Sequence, residues 1–367
     1  MSYYSNVKLN EDYSWPESIP EPPYPIHPSM IEKFDPAYVK LYEEHFLNDP
    51  TIAYSSRYPL RVNRGLEDVI GESELLLMAK IFDIEIPRKY TEAQSPIPAR
   101  VFIPKGEQPG YNGWPVTVWF HGGGWVLGDI NTENSFCTHI AELSRCVVIS
   151  VEYRLAPENP FPACLEDGFE SLLYVFEHGE KEDSELGVDI DITKICVAGS
   201  SAGGNITASV TQKFASYSFS LSQKFPPVCF QMLVVPVTDN TASPQSEKSW
   251  DENYYTLQLT PEKMIWFRKL YLPNGYEDEV KPEASPLFFP DESFARLPPC
   301  FIACAECDIL RSEAELYARK LIKNGVPTKI MIYQGVLHTM MVLDKYLEKS
   351  KQLIKDSTDA IKEAFYR

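Results

Sequence analysis

The side chains best placed to do chemistry are a serine set among small residues, a histidine late in the chain, and an aspartate between them in sequence. Gly199-Ser200-Ser201-Ala202-Gly203-Gly204 follows the strand-like run KICVAG and precedes NITASVTQKF, which suits a helix. In that setting G-x-S-x-G makes a sharp turn that exposes the serine hydroxyl and leaves the following N–H at a helix N-terminus. Ser201 is the candidate nucleophile, with the Ala202 N–H beside it. A serine hydroxyl is weak at its free pKa, so it requires an adjacent base that is itself oriented by an acid.

Six histidines are available for that base. His27 and His45 fall in an N-terminal stretch without strand pattern, His121 precedes a run of glycines, and His139 and His178 lie on or at the end of helical runs. His338, in QGVLHTMM, sits between the strand-like TKIMIY and the last helical run, at the carboxyl edge where open α/β sheets place their sites. The acid belongs at the end of an intervening strand, and CFIACAEC leads directly into Asp308. The order is then Ser, Asp, His.

The glycines of VWFHGGGWVLGD bear on the same chemistry. A dinucleotide fingerprint G-x-G-x-x-G fails here, because its third glycine would fall on Leu127 and, one register later, its second on Trp125. Two readings stay open, a plain tight turn and a loop whose bare backbone N–H groups face a cleft to hold a developing negative charge, the arrangement acyl transfer needs. Bulky Trp125, Leu337 and Met340 stand beside these positions and are expected to limit the volume of a bound acyl group.

Positioning these residues requires a sheet. From residue 80 the runs KIFDIEI, ARVFI, VTVWF, CVVISV, KICVAG, VCFQMLVV, CFIACA and TKIMIY read as eight strands, and helical runs at 131–145, 162–178, 202–216, 312–324 and 340–365 alternate with the later ones. That alternation predicts a mostly parallel, doubly wound α/β sheet, with the first two strands forming a hairpin at its edge. Residues 1–79, helical at about 36–47 and 66–78, form an N-terminal cap segment, and 80–367 the catalytic domain. Residues 238–299 separate two strands by far more than an ordinary connection and are expected to add to a helical cap, with Thr260-Pro261 opening an amphipathic helix.

Bulk properties narrow the partners. A net charge of −18 opposes nucleic acid and anionic membrane surfaces, which leaves a neutral small molecule as the easier ligand. The opening MSYYSNVKLNEDYSWPES carries neither a basic stretch nor an apolar one, and no apolar run approaches the length of a membrane span, so a cytoplasmic chain without stable membrane association is expected. Most of the eight cysteines sit in apolar strand-like runs as reduced, packed thiols, and Cys304-x-x-Cys307 lacks a second ligand pair, so no metal is expected.

HGGGW at 121–125, YRLAPENPFPA at 153–163, GSSAGG at 199–204, AECDILRSEAELYA at 305–318 and GVLH at 335–338 together resemble, in order, the hormone-sensitive-lipase-like branch of the α/β-hydrolases, which includes arylacetamide-deacetylase-like enzymes and many bacterial and fungal esterases. The resemblance implies an α/β-hydrolase fold and a serine carboxylic ester hydrolase that acts on short- to medium-chain acyl esters through an acyl-enzyme, without cofactor. It makes Ser201 the nucleophile, His338 the general base and acid, Asp308 the residue that orients His338, and Gly123, Gly124 and Ala202 the oxyanion donors. It also implies that Arg154 and Glu158 brace the oxyanion loop. Departures are Ser200 where the family often has Asp, Asp308-Ile-Leu-Arg-Ser-Glu313 for Asp-Pro-Leu-Arg-Asp-Glu, and His338-Thr339-Met340 for His-Gly-Phe. An amidase, deacetylase or lactonase using the same triad stays open, as does a non-enzymatic ligand-binding protein like the plant gibberellin receptors, although those lack the histidine that is present here.

Overall fold

A computed structural model describes residues 22–48, 71–110, 112–178, 185–220 and 225–366. Its centre is one sheet of β1 (Lys80–Ile86), β2 (Ile97–Ile103), β3 (Trp114–Phe120), β4 (Val147–Val151), β5 (Ile190–Ser200), β6 (Phe230–Val234), β7 (Cys300–Ala305) and β8 (Thr328–Tyr333), in the order β1-β2-β4-β3-β5-β6-β7-β8. β1 and β2 form the expected edge hairpin, β2 runs antiparallel to β4, and every pairing from β4 to β8 is parallel. VVISV and CFIACA are buried along their whole length, because helices cover both faces of a parallel sheet.

Two layers of helix do the covering. α1 (Pro36–His45), α2 (Asn134–Ser144) and the C-terminal α7 (Glu348–Tyr366) pack with Phe102, Trp119, Val148 and Phe301 on one face. α3 (Ala163–His178) and α4 (Ala202–Ser220) pack with Val118, Phe120, Ile149 and Val197 on the other, and α6 (Arg311–Lys323) covers Ile302 and Cys304. Along α7, Leu353, Ile354, Ile361 and Phe365 form the buried stripe of an amphipathic helix.

The insertion at 238–299 forms single turns around α5 (Pro261–Tyr271), whose N-cap Thr260 accepts a hydrogen bond from the Lys263 N–H behind Pro261. Of the N-terminal segment, residues 1–21 and 49–70 lie outside the described residues, including the start of the expected helix at 66–78; residues 71–78 hold no helix. α1 ends at His45, near its expected limit.

The C-terminal run also differs from expectation. A helix over 340–365 is predicted, yet a 3₁₀ turn spans Met340–Val342 and α7 begins only at Glu348. Residues 71–73 take over the hydrogen bonding there: the Lys345 N–H donates to the Gly71 carbonyl (2.9 Å) and the Ser73 N–H to Asp344 Oδ1 (3.0 Å). Residue types favour helix throughout that run, so the break comes from a contact remote in sequence.

Candidate active site

Ser201 begins the turn from β5 into α4 with φ of 52°, a left-handed value that strains a residue bearing a side chain. Hydrogen bonds from its N–H to the Val234 carbonyl (2.8 Å) and to its carbonyl from the Asn205 N–H (3.0 Å) hold it there. The flanking glycines are steric requirements. A Cβ on Gly199 would stand 2.4 Å from the Gly203 carbonyl oxygen, and one on Gly203 would stand 1.9 Å from that of Phe120. The tight turn therefore aims the Ser201 hydroxyl above the carboxyl edge of the sheet.

His338 reaches it from the loop after β8. Its Nε2 lies 2.8 Å from Ser201 Oγ and its Nδ1 lies 2.7 Å from Asp308 Oδ2. The carboxyl oxygen fixes the tautomer, because it takes the Nδ1–H and leaves Nε2 to accept the serine proton. Asp308 is 1% exposed, and its second oxygen accepts the Leu310 N–H at 3.0 Å. The loop carrying His338 is pinned at Gly335: its N–H donates to Glu306 Oε2 (2.7 Å) and its carbonyl accepts the Asp35 N–H from just before α1 (2.7 Å). The insertion supports the acid loop, with Asn253 Nδ2 donating to the Asp308 carbonyl (3.1 Å) and Thr256 Oγ1 to that of Cys307 (2.6 Å).

The glycine run forms the opposite wall. Gly123 and Gly124 adopt φ of 121° and 60°, and among the described residues neither N–H meets a protein acceptor. Ala202 opens α4, so its N–H has no partner within the helix. The loop is held from several sides. His121 Nδ1 donates to the Gly122 carbonyl (2.7 Å), Tyr153 stacks on the His121 ring and donates to its carbonyl (2.8 Å), and Glu133 Oε1 accepts the Gly122 N–H (3.1 Å). Burial lowers the His121 pKa to about 4, so the ring is neutral and the bare Nε2 meets no partner among the described residues.

A cavity of about 660 Å³ contains Ser201, His338, Gly123 and Gly124 in its wall. Val235, Val237, Leu259, Met264, Phe267, Met341 and Val342 supply apolar lining, while Asp129, Glu152 and Asn159 lend polarity elsewhere. Trp125, Leu337 and Met340, expected to bound an acyl group, are fully buried and are not part of that wall. Trp125 stacks on Tyr271 of α5 at 4.2 Å and donates to Asn205 Oδ1, and Leu337 and Met340 pack with α1 and the far face of the sheet. Each sits one position from a residue that does face the cavity, and direction around a turn is not visible in residue type.

Arg154 differs from expectation as well: its guanidinium pairs with Asp167 and Glu166 on α3, whereas Tyr153 and the Ala156 N–H, which donates to the Trp125 carbonyl (2.9 Å), hold the glycine loop. Asn205, early in α4, is buried with its amide donating to the Val237 and Ala284 carbonyls. Burial raises the pKa of the Cys304 and Cys307 thiols. Three contributors carry no signal a sequence would single out: Glu133 lies in a polar run, and Phe267 and Met264 read as an ordinary amphipathic face.

A family model described as the alpha/beta hydrolase fold matches residues 117–342, which span the glycine run, the serine turn and the histidine loop. A Schizosaccharomyces pombe protein described as an AB hydrolase superfamily protein is 48% identical over 342 residues, covering 93% of this chain and 97% of its own length. The carboxylic ester hydrolase LipN of Mycobacterium tuberculosis is 33% identical over 263 residues, 72% of this chain and 65% of its own. Among solved structures, an esterase from Pyrobaculum calidifontis superposes with a TM-score of 0.68 at 35% identity, covering 78% of this chain and 86% of the esterase. With its sheet order, its serine turn and these matches taken together, the chain belongs to the hormone-sensitive-lipase-like family of α/β-hydrolases.

Proposed function

We propose that this protein is a serine carboxylic ester hydrolase that acts on short- to medium-chain acyl esters through an acyl-enzyme. The observation that carries the reading is the relay of 2.8 and 2.7 Å from Ser201 through His338 to Asp308, facing glycine N–H groups across one cavity. Ser201 Oγ attacks the ester carbonyl carbon while His338 Nε2 takes its proton. The carbonyl oxygen becomes an oxyanion held by the N–H groups of Gly123, Gly124 and Ala202. His338 then passes the proton to the leaving alcohol, and the acyl group remains on Ser201. Water repeats the sequence with His338 as base and frees the acid. Asp308 holds the imidazole in the required tautomer throughout.

Residues 1–79 and 238–299 act in this reading as a cap, and Leu259, Met264 and Phe267 from the insertion line the cavity. A cytoplasmic location is consistent with the eight cysteines, all of which are free thiols. Among the described residues no helix is long and apolar enough to cross a membrane.

Replacing Ser201 by Ala tests the proposal. Hydrolysis of a soluble nitrophenyl ester is expected to fall roughly 10⁴–10⁶-fold while the circular dichroism spectrum is unchanged. A folded variant that keeps activity within tenfold of the native protein would remove Ser201 from the chemistry.

A further inference from the structure

One buried carboxyl group joins the two halves of the site. Glu133, the residue before α2, is 8% exposed and adopts a left-handed φ of 62°. Its Oε1 accepts from the Gly122 N–H at 3.1 Å and from Ser200 Oγ at 2.5 Å, and its Oε2 accepts from Trp119 Nε1 at 2.9 Å. Gly122 immediately precedes Gly123 and Gly124, which line the cavity, and Ser200 immediately precedes Ser201. Trp119, in β3, anchors the carboxyl group to the rigid sheet.

Peptide geometry gives these bonds a direction. The Gly122 carbonyl is held by His121 Nδ1 at 2.7 Å, and a planar trans peptide sets the next N–H antiparallel to that carbonyl. Holding the carbonyl on the His121 side therefore turns the Gly123 N–H the other way. Glu133 fixes the opposite side of the same residue through the Gly122 N–H, so the chain cannot pivot about Gly122. The same oxygen holds Ser200, so it sets the separation between the oxyanion donors and the nucleophile. The approach is close enough to require glycine: a Cβ on Gly122 would meet Ser200 Oγ at 2.8 Å and Glu133 Oε1 at 3.0 Å.

We propose that Glu133, acting through Ser200 and Gly122, is a positioning residue that registers the oxyanion donors on the Ser201 nucleophile. The inference rests on the ester-hydrolase reading. It also gives Ser200 a reason: an aspartate there would set a second carboxyl group against that of Glu133, whereas a hydroxyl donates to it.

The test compares Glu133→Ala, Ser200→Ala and the double variant with the native protein. Kinetics on a soluble nitrophenyl butyrate are read beside the affinity of a trifluoromethyl ketone, which forms a tetrahedral adduct, and of its unreactive alcohol, which needs no oxyanion site. Glu133→Ala is expected to lower kcat about 10²-fold with KM within about threefold, a loss like that of one oxyanion donor. Ketone affinity should fall in parallel and alcohol affinity should hold. Ser200→Ala should lower kcat roughly fivefold, and the double variant should match Glu133→Ala, since both act through one carboxyl group. A folded Glu133→Ala with kcat and ketone affinity within threefold of native overturns the proposal, as does a loss confined to KM. If Glu133→Ala does not fold, Ser200→Ala decides, and unchanged kcat and ketone affinity there overturn it equally. A native protein that hydrolyses no ester and binds no ketone would instead overturn the function on which the inference rests.

Discussion

His121 shows how a single residue can serve the site and burden the fold. Burial lowers its pKa from 6.5 to about 4, so the unfolded chain takes up a proton before the folded protein does. Stability must then be lost as pH falls from about 6.5 towards 4, by on the order of 3 kcal/mol for this one ring. Unfolding free energies of the native protein and His121→Asn, measured by urea denaturation at pH 7 and pH 4, should converge by about that amount as pH falls; parallel curves would show that the ring does not titrate this way. At this scale the site was readable wherever chemistry coincides with a strand end. Ser201, Asp308 and His338 each follow a strand-like run, and the structure brings them within hydrogen-bonding distance. Glu133 was not readable, because a glutamate before a helix normally reads as a solvated first-turn charge and its left-handed backbone is a product of the packed loop.

Among the elements, α5 of the insertion meets the glycine loop directly. A Cβ on Gly124 would lie 2.4–2.6 Å from the Phe267 ring, so that ring rests on the loop and closes the cavity beside the glycine N–H groups. An enclosed apolar wall favours acyl chains up to the length it can accommodate, at about 0.8 kcal/mol per buried methylene, and opposes longer ones. kcat/KM for nitrophenyl esters is therefore expected to peak between acetyl and hexanoyl without a jump when substrate aggregates, and Phe267→Ala to move the peak to longer chains. A native maximum at palmitoyl with interfacial activation, or an unmoved peak in the variant, would contradict this. The start of α5 was legible from Thr260-Pro261, because capping is local. The interruption before α7 was not, since bonds from residues 71–73 impose it across the fold.

For the whole molecule, the central strands β3, β4, β6 and β7 were legible because parallel strands covered on both faces must be apolar along their length, while β1 and β2 were legible as a hairpin from their short connection. That framework places Ser201, Asp308 and His338, which arise from β5, β7 and the loop after β8, over one edge of the sheet. Only the assembled molecule makes Ser201 different from the other serines: its hydroxyl faces His338 Nε2 at 2.8 Å, whereas the neighbouring Ser200 hydroxyl is committed to Glu133 at 2.5 Å. An organophosphonate that mimics the tetrahedral intermediate should discriminate between them. Intact-mass measurement after reaction should show one adduct per chain, and peptide mapping should place it on Ser201; an adduct on Ser200, or no adduct on a folded protein, would contradict the assignment of Ser201 as nucleophile.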